Sequence, residues 1–279
     1  MRNLRVLLYG MAYLLSGCML MTSCQVEDLT SFSKGKGTIA LDLSATSSFN
    51  TETKAVNEGD YKNLDNYTVQ FLKVGESDPV KTFKYAEIPA SVELDNGAYT
   101  VKAFYGTNTD AASRTGFYVE GSNSFNLNGE TDKSISLTCT PTYGKVKVEF
   151  TEMDTYFSDY YVTYSTSALG SSSTAKWSKA DTEPWYLKLN NGGETVTATI
   201  YLTPKSQYQT KAATVVRTYD LAPNKAWTLQ VAPSYNDKTG QLGVSIKIDE
   251  GTNDIPVDIV IPSCLLYTSP SPRDRTRSR

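Results

Sequence analysis

Cys24 is the residue whose setting most clearly prescribes chemistry. Arg2 and Arg5 precede an apolar run, and Met21-Thr22-Ser23 brings small residues up to the cysteine. Basic, then apolar, then small residues make an export signal. A cysteine at its cleavage point is a thiol placed to accept acyl chains and tether the chain to a membrane. Cys18 is the alternative acceptor, because Leu15-Ser16-Gly17-Cys18 carries the leucine favoured three residues before such a cysteine. The residues that follow separate the two. Cys24 leads into Gln25, Val26 and the carboxylates Glu27 and Asp28, whereas Cys18 leads into Met19-Leu20-Met21. We therefore expect residues 1–23 to be a lipoprotein signal peptide and Cys24 to carry the lipid. The apolar run falls short of the ~20 residues a membrane span needs and is broken by Ser16, Gly17 and Cys18.

Other reactive chemistry is sparse. The chain contains no histidine, which removes the usual general base, the Ser-His and Cys-His nucleophile pairs and nearly all zinc sites. Two carboxylates could still hydrolyse a glycoside, but the acidic residues are scattered and no pair stands out. There is no Asp-rich calcium loop of EF-hand type and no glycine-rich phosphate loop. Asp249-Glu250-Gly251-Thr252-Asn253-Asp254 comes nearest to a cation site and reads as a solvated turn. We expect no enzyme activity, no metal and no cofactor. Cys139 lies in phase with Ile135 and Leu137, which at strand period places it on a buried face as a small core residue. Aromatics are abundant, with 19 Tyr and 3 Trp, and an exposed ring can stack on a sugar. Trp177, Trp185 and Tyr186 are the candidates; the alternative is that they are ordinary core or edge-strand aromatics. Trp185 alternates with Leu187 as core residues do. Trp177 lies in a polar stretch and is expected to be the more exposed.

The far end carries a different signature. Residues 264–274, Cys264-Leu265-Leu266-Tyr267-Thr268-Ser269-Pro270-Ser271-Pro272-Arg273-Asp274, back-translate to a sequence resembling the transposon mosaic end and adapter of sequencing libraries. We expect residues 264–279 to be such an artefact and the native chain to be cut near Ser263. Arg273, Arg275, Arg277 and Arg279 are then no nucleic-acid or membrane patch. The formal charge of the whole chain is −3; without Arg2, Arg5 and this tail it is about −8. An acidic body argues against nucleic acid, whose phosphates need Lys and Arg, and suits a solvated surface protein. With Cys18 in the signal, Cys24 lipidated and Cys264 set aside, Cys139 stands alone and no intrachain disulfide is available.

The elements that must position any site are strands. In Gly144-Lys145-Val146-Lys147-Val148-Glu149-Phe150 the apolar residues share one face and the charges the other. Val196, Ala198, Ile200 and Leu202 repeat the pattern, as do Leu242, Val244, Ile246 and Ile248. Such alternation means half-buried strands, and one polar face per strand points to antiparallel sheets. Asp95-Asn96-Gly97-Ala98, Asn190-Asn191-Gly192-Gly193 and Asp237-Lys238-Thr239-Gly240 each separate two such runs and predict tight hairpins. Helix is confined to one turn within 154–160. The expected fold is all-β: two tandem antiparallel β-sandwich domains, of Ig or transthyretin-like type. A tether at 24–36 leads to an N-terminal sandwich at 37–140, and Thr140-Pro141-Thr142-Tyr143 to a C-terminal one at 141–263. Residues 46–65 read as a long loop.

Two resemblances sharpen this. The carboxylates Glu27 and Asp28 after Cys24, with Gln25, resemble the surface-export tag of Bacteroidota lipoproteins. Phe83-Lys84-Tyr85-Ala86-Glu87-Ile88-Pro89, Val92-Glu93-Leu94, Gly97-Ala98-Tyr99-Thr100-Val101, Gly106, Phe117-Tyr118-Val119-Glu120-Gly121 and the single Cys139 resemble an uncharacterised family of Bacteroidota lipoproteins, a domain of unknown function, over roughly 35–262. The resemblance implies tandem β-sandwiches related to fimbrillin-type pilus and adhesion subunits. It supplies no catalytic or ligand residue. The expectation is a protein lipid-anchored in the outer membrane and displayed at the cell surface. Its role would be structural or adhesive, with pilus or other surface subunits as partners; the alternative is glycan binding in a polysaccharide-uptake system.

Overall fold

The alternating runs become strands throughout the computed structural model, which describes residues 32–49, 56–171 and 173–249 and the backbone of 257–260. Cys18, Cys24, Gln25, Glu27, Asp28, most of the acidic turn after Asp249 and the tail from Cys264 lie outside the described residues. In chain order the strands are β1 (Lys36–Ala45), β2 (Thr68–Lys73), β3 (Pro79–Lys84), β4 (Val92–Asp95), β5 (Gly97–Tyr105), β6 (Ala112–Ser113), β7 (Val119–Leu127) and β8 (Lys133–Pro141). Then follow β9 (Tyr143–Phe150), β10 (Phe157–Ser165), β11 (Ala175–Ser178), β12 (Trp185–Lys188), β13 (Glu194–Pro204), β14 (Ala213–Leu221), β15 (Ala226–Asn236), β16 (Gln241–Asp249) and β17 (Val257–Val260). The one α-helical turn among the described residues is α1 (Met153–Tyr156). Short 3-10 turns, Glu58–Lys62 and Leu64–Asn66, occupy part of the predicted loop.

The protein is all-β. A curled seven-stranded sheet has the order β3-β2-β5-β7-β8-β1-β4; a four-stranded sheet runs β11-β10-β13-β14 and a six-stranded one β17-β16-β15-β9-β12-β6. The expectation of purely antiparallel sheets is corrected: β1 runs parallel to β8 and β9 parallel to β15. Parallel neighbours are joined through long connections, so no turn between them announces the pairing. Two apolar clusters form the core. One, with Ile39, Phe71, Val101 and Leu127, fills the curled sheet. The other, with Val146, Trp177, Ile200 and Val244, lies between the four- and six-stranded sheets. Cys139 is fully buried in the first, as its phase with Ile135 and Leu137 predicts; burial pushes its thiol up to about 12, so it is inert.

Of the three expected hairpins, one forms. Asp237-Lys238-Thr239-Gly240 joins β15 to β16, whose register closes at Asn236 opposite Gln241. The other two turn signals sit at corners. β4 pairs with β1, while β5 lies between β2 and β7, so Asn96 carries the chain from the sheet's edge to its interior. Neither Asn96 nor Gly97 adopts positive φ, and Asn96 donates its backbone N–H to Gly35 and its side-chain amide to Ser33 O. Asn190-Asn191-Gly192-Gly193 takes the chain from β12 in the six-stranded sheet to β13 in the four-stranded one. Between β8 and β9 a single residue, Thr142, intervenes, and β6, from well before that point, pairs with β12 at the six-stranded sheet's edge.

Candidate functional site

The three candidate aromatics meet the chain's first half rather than solvent. β12 alternates between two cores: Trp185 and Leu187 face the second, while Tyr186 points into the first. The six-stranded sheet is thus covered on both faces at β9 and β12. Trp177, expected to be the more exposed of the three, is 1% exposed. Its polar neighbours alternate outward along β11 while the ring fills the second core, so it has no face to offer a sugar. Tyr186 is likewise fully buried. Trp185 is half-buried, and its indole N–H donates to Lys176 O at 3.0 Å.

What these rings build is a joint. Arg114, in the loop after β6, lays its guanidinium 4.4 Å from the Trp185 ring centroid and 5.2 Å from that of Trp177. It donates to Glu183 O at 2.7 Å, Lys176 O at 3.0 Å and the Asp181 carboxylate at 3.0 Å. A desolvated cation over indole contributes up to ~2 kcal/mol, and the planar fork satisfies three acceptors at once. Deeper in, the Glu58 carboxylate accepts from Lys145 Nζ at 2.6 Å and from the Tyr186 hydroxyl at 2.7 Å. Lys145 was expected on a solvated face of β9. It is 3% exposed, because the first half covers that face, with Phe49, Phe117 and Tyr186 packed ring on ring beside it. At the rim, Asn224 Oδ1 accepts from Ser48 N at 2.9 Å, and the Ser48 hydroxyl donates to Asn224 O. Sequence reasoning missed Glu58, Arg114 and Lys145. Charges in polar stretches read as solvated, and only the packing of the halves buries them.

The loop from Gly106 to Phe117 forms one side of this joint and is pinned along its length. Tyr143 donates its hydroxyl to Asp110 O at 2.7 Å, Lys188 Nζ donates to Asn108 O at 3.1 Å, and Lys188 N donates to Ala111 O at 3.0 Å. Its neck closes because position 106 is glycine: φ is +89° and a Cβ would lie 2.1 Å from Phe117 O. Two adjoining hollows, sharing Tyr61, Gly106 and Thr107, open beside the loop. One, of about 380 Å³, is lined by Asn66, Thr68, Lys84, Phe104 and Tyr105. The other, of about 190 Å³, is lined by Asp110, Ser113 and Thr115. Among the described residues no three His, Cys, Asp or Glu side chains are grouped to hold a metal. No helix there is long and apolar enough to cross a membrane.

Fold and joint together define an all-β protein whose two cores are bridged by buried polar groups. Residues 35–263 match the family described as a domain of unknown function, DUF4493, and the chain belongs to that family. No curated protein matches it. Among solved structures it is similar to a fimbrial assembly protein from Parabacteroides distasonis ATCC 8503, at 9% identity and a TM-score of 0.40 over 81% of this chain and 100% of that one. It is also similar to the fimbrial anchor protein Mfa2 from Porphyromonas gingivalis, at 12% identity and a TM-score of 0.42 over 82% of this chain and 100% of that one.

Proposed function

We propose that this is a lipid-anchored outer-membrane protein, displayed at the cell surface, with a structural or adhesive role and other surface or pilus subunits as its partners. In this reading residues 37–140 and 141–263 are two sandwich-like domains, Cys24 bears the lipid, and Gln25, Glu27 and Asp28 direct export. The observation that carries the role is the joint. Glu58, Lys145 and Tyr186 are buried between the halves, with Lys145 and Tyr186 both donating to the Glu58 carboxylate, which suits a stiff spacer that transmits force and not a pair of halves that open and close. Enzyme activity has no place in the reading.

Two measurements test it. Metabolic labelling with a radioactive fatty acid should mark the wild-type chain and the Cys18→Ala variant but not Cys24→Ala. Intact cells carrying the protein should lose it to added protease and should adhere to one another or to host surfaces more than cells lacking it. A strictly monomeric protein that leaves adhesion unchanged removes the adhesive role. The glycan-binding alternative loses Trp177 and Tyr186 to burial, and of its three candidates the half-buried Trp185, stacked by Arg114, remains.

A further inference from the structure

We propose that the hollow over Phe104 and Tyr105 binds a neutral saccharide. The inference goes beyond the structural role above and is independent of it. Phe104 occupies an outward position of β5, between the inward Ala103 and the strand's end, and is only partly buried. In register it stands beside Thr68 of β2, which stands beside Lys84 of β3. A lysine, a threonine, a phenyl ring and, in register on β7, Glu120 thus form one row across four strands, at positions that alternate outward from the core. An aromatic ring at the centre of a polar row suits a pyranose, whose C–H face stacks while its hydroxyls reach sideways.

The polar groups around the ring have capacity to spare. Lys84 Nζ donates to Thr68 Oγ1 at 3.2 Å and to Asn66 O at 3.5 Å, and an ammonium carries three donors. The Tyr105 ring packs edge-on against Tyr61 at 5.0 Å, and its hydroxyl has no hydrogen-bond partner among the described residues. Thr107 lines both hollows, and Asp110, Ser113 and Thr115 supply acceptors and hydroxyls in the adjoining one. A volume of about 380 Å³ falls within the ~300–1,000 Å³ of small-molecule sites. Both walls are fixed before any ligand arrives, one by strand pairing and the other by the pinned loop, so binding costs little ordering. Lys84 and Lys102, the latter 5.8 Å from the Phe104 ring centroid, are matched by Asp110 and by Glu120, the ion-pair partner of Lys102, and this balance of charge favours an uncharged polyol over an anion.

The test is affinity electrophoresis of the full-length purified protein through gels holding xylan, mannan, dextran, starch or polygalacturonate, followed by calorimetry on any polysaccharide that retards it. At least one neutral polysaccharide should bind. Phe104→Leu and Lys84→Ala should each weaken that binding about tenfold or more with the thermal transition unchanged, while Trp185→Phe, at the joint, should leave it intact. No retardation by any neutral polysaccharide overturns the proposal. So does binding that survives both substitutions, or retardation by polygalacturonate alone that vanishes with added salt. None of these outcomes bears on lipidation or adhesion.

Discussion

A carboxylate and an ammonium buried together are tolerated only while each keeps the other, and Glu58 and Lys145 meet that condition with Tyr186 as a third member. Removing one member of such a pair costs roughly 3–5 kcal/mol, because the survivor is left charged in an apolar site. Lys145→Met should therefore destabilise the protein by about that much in a urea titration, and adding Glu58→Leu should recover part of the loss. A double variant as unstable as the sum of its parts would rule out the pair as a coupled unit. A second residue-scale effect is exposed. The Glu130 carboxylate accepts from Asn128 N and from Lys133 Nζ, and these bonds hold it down at about 2. A depressed carboxylate contributes stability above its unfolded value near ~4.5, and that contribution is lost as pH falls through the folded value. The stability gap between wild type and Glu130→Gln should thus be constant near neutral pH and shrink as pH drops from ~4.5 towards ~2. Residue-level reading of the sequence succeeded where strand phase decides, as at Cys139. It failed at Trp177 and Lys145, because polar neighbours in sequence say nothing about what a second sheet lays over them.

At the scale of elements, strand existence was legible and strand partnership was not. Alternation marks a strand from its own residues, so β9, β13 and β16 stand where the pattern put them. Partnership depends on which strands pack across the core. Asn-Gly and Asn-Asn-Gly-Gly serve a corner between sheets as well as a hairpin, which is why two of three turn signals changed meaning. The difference is testable in glycine. Were Gly97 part of a tight hairpin turn it would need positive φ. It has none, and an added Cβ meets only the Tyr99 ring at 3.3 Å and the Lys73 side chain at 3.4 Å. Gly97→Ala should cost about 1 kcal/mol or less. Gly106→Ala should cost ~3 kcal/mol or more, since positive φ alone costs ~1–3 kcal/mol and its Cβ would run into backbone at Phe117. Equal denaturation midpoints for the two variants would refute this account of the loop's neck.

For the whole molecule, the question is whether two cores make one cooperative unit. Each core has its own sheets, and a chain with two cores joined by a mobile linker unfolds in two steps. Here the linker is the single residue Thr142, and the joint carries the Glu58 network, the Arg114 clamp and β6 added to the other half's sheet. Breaking the joint must therefore strip buried charges of partners, a cost each half would bear before its own core opened. The wild-type protein should accordingly show one calorimetric transition with matching calorimetric and van't Hoff enthalpies. Arg114→Ala removes a guanidinium that stacks on Trp185 and satisfies three acceptors, and Arg114→Lys keeps the charge but loses the fork. Combined with Lys145→Met, Arg114→Ala should split the endotherm into two while far-ultraviolet circular dichroism at low temperature stays native. Arg114→Lys alone should lower the single transition without splitting it. Two transitions already present in the wild type would mean that the halves are coupled more weakly than their contacts imply, and would remove the stiff-spacer argument for a structural role.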